Sequence, residues 1–143
     1  MQIHKVLVKD MMVKTPFTVD VHDDFAVVWD LFRLHKISHL PVVVNDRLLT
    51  GIITKIDLFR TIAPKKTEAG KLIYDVGELN RFKIKDIMTK EVATLGPDDY
   101  LGKAIDIMIK LKVGCLPIVN KTRYLEGIIT RGMVLRTVSQ FFT

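Results

Sequence analysis

The sequence predicts an α/β (α+β) fold made of two consecutive β-α-β-β-α units that share one core. Three observations carry this. First, the chain repeats itself. Leu40-Pro41-Val42-Val43 with Gly51-Ile52-Ile53-Thr54 returns 76 positions later as Leu116-Pro117-Ile118-Val119 with Gly127-Ile128-Ile129-Thr130, and Lys9-Asp10-Met11-Met12 returns at the same spacing as Lys85-Asp86-Ile87-Met88. Blocks that keep one register without a gap mark an internal duplication, which decides the architecture before any local reading does. Second, each copy holds two short apolar runs rich in Val and Ile, the pattern of buried strands. Third, the first copy carries apolar residues at i, i+3, i+4 and i+7, the period of a helix with one buried face.

Taken in order, residues 1–19 are an extended lead-in. Thr15-Pro16-Phe17-Thr18-Val19 reads as a short strand after a Pro-marked turn. Asp23 and Asp24 supply an N-cap and a first-turn acid for a helix with Phe25, Val28, Trp29 and Phe32 on one face, extended by His35, and with Lys36 in its last turn. Residues 40–44 form a buried strand, Asn45-Asp46-Arg47 a turn, and 48–54 the next strand. Gly51 inside that strand marks a close approach of another backbone. A second helix starts near Lys55, runs through Leu58, Phe59 and Ile62, and ends at Pro64. The second copy repeats this order: a strand at 92–95, a helix started by Gly96-Pro97-Asp98-Asp99 with Leu101, Ala104, Ile105 and Met108 facing inward, strands at 116–119 and 125–130, and a last helix over 133–141.

The domain reading is therefore residues 1–63 for the first copy with its lead-in, 64–83 for a linker, and 84–143 for the second copy. In the linker, Leu72, Ile73, Val76 and Leu79 could face inward from a short helix, although Gly70 and Gly77 weigh against one.

A chain of 143 residues is one domain's length and buries roughly 68–70% of its unfolded surface. Each copy alone lies near the lower limit of independent stability, which predicts the shared core. Hydrophobic residues at 48% and charged residues at 27% are ordinary for a globular chain. No apolar run approaches the length of a membrane span, and the N-terminus lacks a signal-peptide core. The single Cys115 cannot form an internal disulfide; a reducing, cytoplasmic setting is the default. The net charge of +6 comes from dispersed bases with little aromatic interleaving. That pattern gives weak support to nucleic-acid binding and suits a small phosphorylated ligand equally well.

These blocks resemble a tandem pair of CBS domains, the Bateman module. The carriers are Lys9-Asp10-Met11-Met12, Ile37-Ser38-His39-Leu40-Pro41-Val42-Val43 and Gly51-Ile52-Ile53-Thr54 with Asp57, together with Lys85-Asp86-Ile87-Met88 and Leu116-Pro117-Ile118-Val119. The resemblance spans about Val8 to Val138. It implies a pseudo-twofold pair packed through its sheets, with two related clefts. In the family these clefts bind adenosyl ligands: AMP, ADP, ATP, S-adenosylmethionine, sometimes NAD or a cyclic dinucleotide. It further implies a regulatory sensor that controls a partner protein, a homodimer, no enzyme activity, and no cofactor other than the regulatory ligand.

Thr54-x-x-Asp57 has the spacing of a capping box. The same geometry offers N–H groups to a phosphate and a carboxylate to ribose hydroxyls; the resemblance favours ribose contact by Asp57. Lys55 and Arg131 occupy one position in the two copies, at about N1 of a helix, where a cation opposes the macrodipole by roughly 0.3–1 kcal/mol. They are either counter-charges to a bound anion or solvent-pointing bases. In the second copy Thr130 remains but Met133 stands where the acid would be, and a thioether accepts ribose hydrogen bonds poorly. Ile37, Ser38 and His39 before Pro41, and Val113 and Cys115 before Pro117, could present backbone groups to an adenine edge; the alternative is plain hairpin packing. The resemblance groups Val113, Cys115 and Pro117 with Thr54 and Asp57, and adds Thr18. His35 and His39 have metal-compatible spacing, but no carboxylate or thiol completes a set. Cys115 has no adjacent base, and no nucleophile, P-loop or paired-His motif occurs. Two other functions stay open: a structural or dimerisation module with empty clefts, which Met133 favours, and nucleic-acid binding through the basic surface.

Overall fold

The computed structural model describes residues 2–142; the outer ends of the expected domains, Met1 and Thr143, lie outside it. The chain divides into two compact units that do not follow chain order. One holds the chain up to Pro16, Arg47–Leu49 and everything from Glu91 on; the other holds Phe17–Asp46 and Thr50–Lys90. Each copy is thus completed by the segment that precedes the other copy.

The unit of the first copy contains β1 (Val19–Asp20), α1 (Phe25–His35), β2 (His39–Val44), most of β3 (Leu48–Thr54), and α2 (Lys55–Thr61). The sheet runs β1-β2-β3, with Val19 of β1 parallel to Val42 of β2. The strand expected over 15–19 shrinks to Val19–Asp20. Pro16 has no N–H to offer a ladder, and Phe17 is exposed, its ring stacked 4.1 Å from His35. His35 is therefore off the core face where it was expected, whereas Phe25, Val28 and Phe32 are buried on it. The acids also act differently. Asp23 Oδ2 accepts the N–H of Asp20 at 2.9 Å, and Asp24 sits at the N-cap without a side-chain bond. Lys36 lies just past the last turn as a left-handed C-cap, φ 52°. Asn45 and Asp46 take φ values of 51° and 70°, a turn conformation these two residue types tolerate.

In the linker, Leu72–Ile73 (β5) pairs antiparallel with Lys65–Lys66 (β4), and Gly70 takes φ +84°. Leu72 and Ile73 are exposed, not inward as expected; a glycine with positive φ favours a hairpin over a helix here. Leu79 and half-buried Val76 do pack inward, from a 3₁₀ helix over Val76–Arg81 that Asp75 starts by accepting the Gly77 N–H at 3.0 Å. The short α3 (Ile84–Ile87) follows.

The unit of the second copy contains α4 (Leu101–Leu111), β6 (Cys115–Val119), β7 (Leu125–Thr130) and α5 (Arg131–Ser139). β6 and β7 are antiparallel, with Cys115 opposite Thr130. The expected strand at 92–95 reduces to a single parallel bridge from Leu95 to Ile118, because Gly96 and Pro97 turn the chain away. Asp99 Oδ2 holds the Gly96 N–H at 2.8 Å, so this acid builds the turn before α4 and Tyr100 takes the N-cap. The last helix begins at Arg131, two residues earlier than expected, and gives way to a 3₁₀ turn after Ser139. No helix among the described residues is long and apolar enough to cross a membrane.

The buried residues form two clusters, not the one shared core expected from the size of a single copy. Leu79 and Ile84 join Leu40, Val42 and Ile53 in one cluster; Val6 and Val8 join Leu116, Ile118 and Ile129 in the other. Each copy reaches a workable core by recruiting apolar residues from the lead-in of the other. The lead-ins also close a strand edge. Ile52 and Thr89 exchange N–H···O bonds of 3.0 and 2.8 Å, and Val13 and Ile128 exchange bonds of 2.9 and 3.1 Å. The glycine before each bridge makes this possible: a Cβ on Gly51 would lie 2.5 Å from Met88 Sδ and 2.9 Å from Thr89 O, and one on Gly127 2.6 Å from Val13 O.

Gly127→Ala is therefore expected to destabilise the fold by about 1–3 kcal/mol, the usual cost of overpacking. Gly102→Ala, where no atom lies within 4 Å of the added Cβ, should stabilise it by about 0.4–1 kcal/mol. Urea denaturation of the two variants checks both; equal effects would show that the close approach at Gly127 carries no constraint.

Candidate ligand site

Thr54 ends β3 in extended geometry, φ −121° and ψ 162°, and its Oγ1 accepts the N–H of Asp57 at 3.2 Å. Asp57 Oδ2 in turn accepts the N–H of Thr54 at 2.9 Å. The capping box expected from the spacing is formed. It uses one carboxylate oxygen; Oδ1 of the half-buried Asp57 has no protein partner among the described residues. Lys55, the first residue of α2, donates its N–H to the Ser38 carbonyl at 3.1 Å and makes no ion pair among the described residues. Ser38 Oγ lies 3.1 Å from His39 Nδ1. The structure thus brings Ser38, Thr54, Lys55 and Asp57 together at one end of β2 and β3. Ile37 packs half-buried on the core, Pro41 is buried within β2, and Thr18 precedes β1.

The second copy repeats the backbone and not the chemistry. Thr130 Oγ1 accepts the Met133 N–H at 3.4 Å, and the Arg131 N–H donates to the Gly114 carbonyl at 2.9 Å. Met133 cannot return a bond and packs against the core of its unit. Arg131 is exposed. Val113 is half-buried, and Cys115 and Pro117 are buried in β6. These three belong to a different unit from Asp57. In both copies the carbonyl that meets the helix start belongs to the pre-strand segment of the same copy.

The Cys115 thiol is pushed up to about 12 by burial, so it carries no thiolate near neutral pH. A cavity of about 650 Å³ in the first copy's unit has a different lining. It is lined by residues 21–26, by Asn80 and by residues 82–85, and none of the expected site residues borders it. Its rim mixes Asp23 and Asp24 with Lys83 and Lys85, and no buried polar side chain points to a ligand there. One contributor near the site escaped the residue-level reading: Thr89, the partner of Ile52. Its signal was the 76-residue register, which places it opposite Val13 in the repeat.

A duplicated unit that sets a Thr at the turn from strand to helix, backed by a Gly-bearing strand, defines a tandem-repeat module of mixed helix and strand. The CBS domain profile matches residues 8–64 and 84–140, and the chain belongs to the CBS domain family as a tandem pair. It is 31% identical to an uncharacterized protein of Methanocaldococcus jannaschii, over 93% of this chain and 91% of that one. It is 33% identical to a CBS domain-containing protein of Dictyostelium discoideum, over 92% and 90%. Among solved structures, the CBS domain pair of protein MJ0100, in complex with 5′-methylthioadenosine and S-adenosyl-L-methionine, matches with a TM-score of 0.75 and 26% identity, covering 95% of this chain and 98% of that one. Similarity also extends to homoserine O-acetyltransferases of methanogens such as Methanohalobium evestigatum. There the chain spans only 19% of the enzyme's length, which covers a CBS portion and not the whole enzyme.

The raised pKa of Cys115 makes a signed prediction. Between pH 9.0, its ordinary value, and about 12, the folded chain keeps a proton that the unfolded chain has lost, so stability falls as pH rises through that window. Subtracting the pH–stability curve of Cys115→Ala from that of the wild type isolates this loss. A thiol reagent at pH 8 should react only after denaturant is added; prompt reaction of the folded protein would contradict the burial.

Proposed function

We propose that the module is a regulatory sensor whose first copy holds an adenosine-containing ligand at the start of α2, and whose bound state controls a partner protein. Asp57 carries the reading. Its Oδ2 is committed to the Thr54 N–H, which fixes the carboxylate, while Oδ1 is left without a protein partner among the described residues. A pre-oriented acceptor binds a pair of ribose hydroxyls without first paying to order itself. Lys55, which makes no ion pair among the described residues, heads the same helix as a cation for a phosphate or carboxylate on the same ligand. Ile37, Ser38 and His39 face the adenine edge, with Pro41 and Thr18 behind them. Thr130, Arg131, Val113, Cys115 and Pro117 form the corresponding half-site of the second copy, without the acid. The ligands held by the MJ0100 pair support this chemical class.

Charge-assisted hydrogen bonds from the ribose contribute about 1.5–3 kcal/mol, or roughly 10–150-fold in affinity. Calorimetry with S-adenosyl-L-methionine, AMP and ATP should therefore find one dominant site per chain. Asp57→Asn keeps an acceptor for the Thr54 N–H but loses the charge, and should weaken binding by that factor with little change in stability. Met133→Asp should strengthen the second half-site. Two equal sites in the wild type, or unchanged affinity in Asp57→Asn, would sink this reading.

The proposed assembly is a homodimer. Ile56, Leu135 and Ile109 are 60%, 63% and 69% exposed on α2, α5 and α4, and a second copy of the chain would cover such helix faces. Light scattering at tens of micromolar should return twice the chain mass; a monomer there would refute the dimer.

A further inference from the structure

We infer that the bridge between Ile52 and Thr89 is the mechanical output of the ligand site: occupancy at Asp57 tightens it. This rests on the ligand reading of Asp57 and names how that site is read. Ile52 lies two residues before Thr54, and it shares both of its backbone hydrogen bonds on that edge with Thr89, at 3.0 and 2.8 Å. Gly51 lets Thr89 lie directly on the strand, with the Thr89 carbonyl oxygen 2.9 Å from where a Cβ would stand. There is no slack between strand and strap. Thr89 is one residue short of Lys90, the last of its unit, and Glu91 belongs to the other.

The other end of the lever is the capping box. Asp57 Oδ2 holds the Thr54 N–H at 2.9 Å, so the carboxylate already restrains the last residue of β3. A ligand whose hydroxyls bind Oδ1 holds the carboxylate from its second side. Thr54 then loses freedom, and the bridge two residues back opens less often. Opening of such a bridge is what amide exchange measures, and coupling through reduced mobility is a real form of allostery when an observable reports it.

The second copy is a built-in control. The Val13–Ile128 bridge has the same form, at 2.9 and 3.1 Å, over Gly127. Met133 replaces the acid there, so no carboxylate links a ligand to that bridge.

The test is amide hydrogen exchange by NMR on the full chain, with and without saturating S-adenosyl-L-methionine, or AMP if calorimetry shows that only AMP binds. The amides of Ile52 and Thr89 should slow by at least about fivefold, the lower end of usual coupling strengths, while those of Val13 and Ile128 stay unchanged. Linkage is reciprocal, so loosening the strap must also weaken binding. Gly51→Ala should cost at least about fivefold in ligand affinity, and Gly127→Ala, whose Cβ would meet Val13 O at 2.6 Å, should leave affinity alone. Binding without slowing at Ile52 and Thr89, equal slowing at both bridges, or equal affinity loss in the two Ala variants would overturn the inference and leave the ligand site standing. Failure of every probe to bind would overturn the ligand reading and this inference with it.

Discussion

In each half of this protein, two hydrogen bonds over a glycine tie the lead-in of one copy to the strand edge of the other. Each copy's buried cluster is finished by residues from outside that copy, and the outer edges of β3 at Ile52 and of β7 at Ile128 are paired from outside it too. The lead-in of the other copy supplies both needs. Its apolar residues complete the cluster, and its last residues exchange bonds with the strand edge. That contact needs backbone to approach backbone more closely than a Cβ permits, which is why glycine occupies positions 51 and 127. An edge closed in this way also presents no free row of N–H and C=O groups there for another chain to pair with. The duplication is thus more than two domains in series: the connecting chain is structural material for both.

Much of this was legible from periodicity. The apolar runs at 40–44 and 116–119, the face of Phe25, Val28 and Phe32, and the strand glycines all follow from local pattern, and local pattern is what sequence reports well. The exchange of lead-ins was not legible, because it depends on which distant partner completes a core. The sequence suggested one shared core where two exist. Smaller misses share a cause. Asp23 and Asp99 sit where helix caps belong, yet each carboxylate takes an N–H three residues back and builds the turn before the helix. A short acid can serve either donor at similar energy, and spacing does not choose between them. Leu72 and Ile73 were misread because an apolar pair on a two-residue hairpin strand, turned by Gly70, looks the same as one helical turn. At the candidate site the capping box was legible at Thr54 and Asp57, and the carbonyl partners of Lys55 and Arg131 were not, since they arise from tertiary pairing.

The contrast between the copies narrows what the site can be for. A capping box stabilises a helix start wherever one occurs, and α2 and α5 begin with the same backbone geometry: N-cap φ of −121° and −120°, ψ of 162° in both. If Asp57 served only the helix, α5 would gain as much from an acid as α2 does. Yet α5 does without it and is the longer helix, nine residues against seven. A cation heads both helices, where it opposes the dipole; Lys55 is half-buried beside the acid and Arg131 is exposed without one. Helix stability accounts for neither the lone acid nor the shared cations. An anionic ligand with vicinal hydroxyls, taken by one copy, would account for Lys55 and Asp57 together.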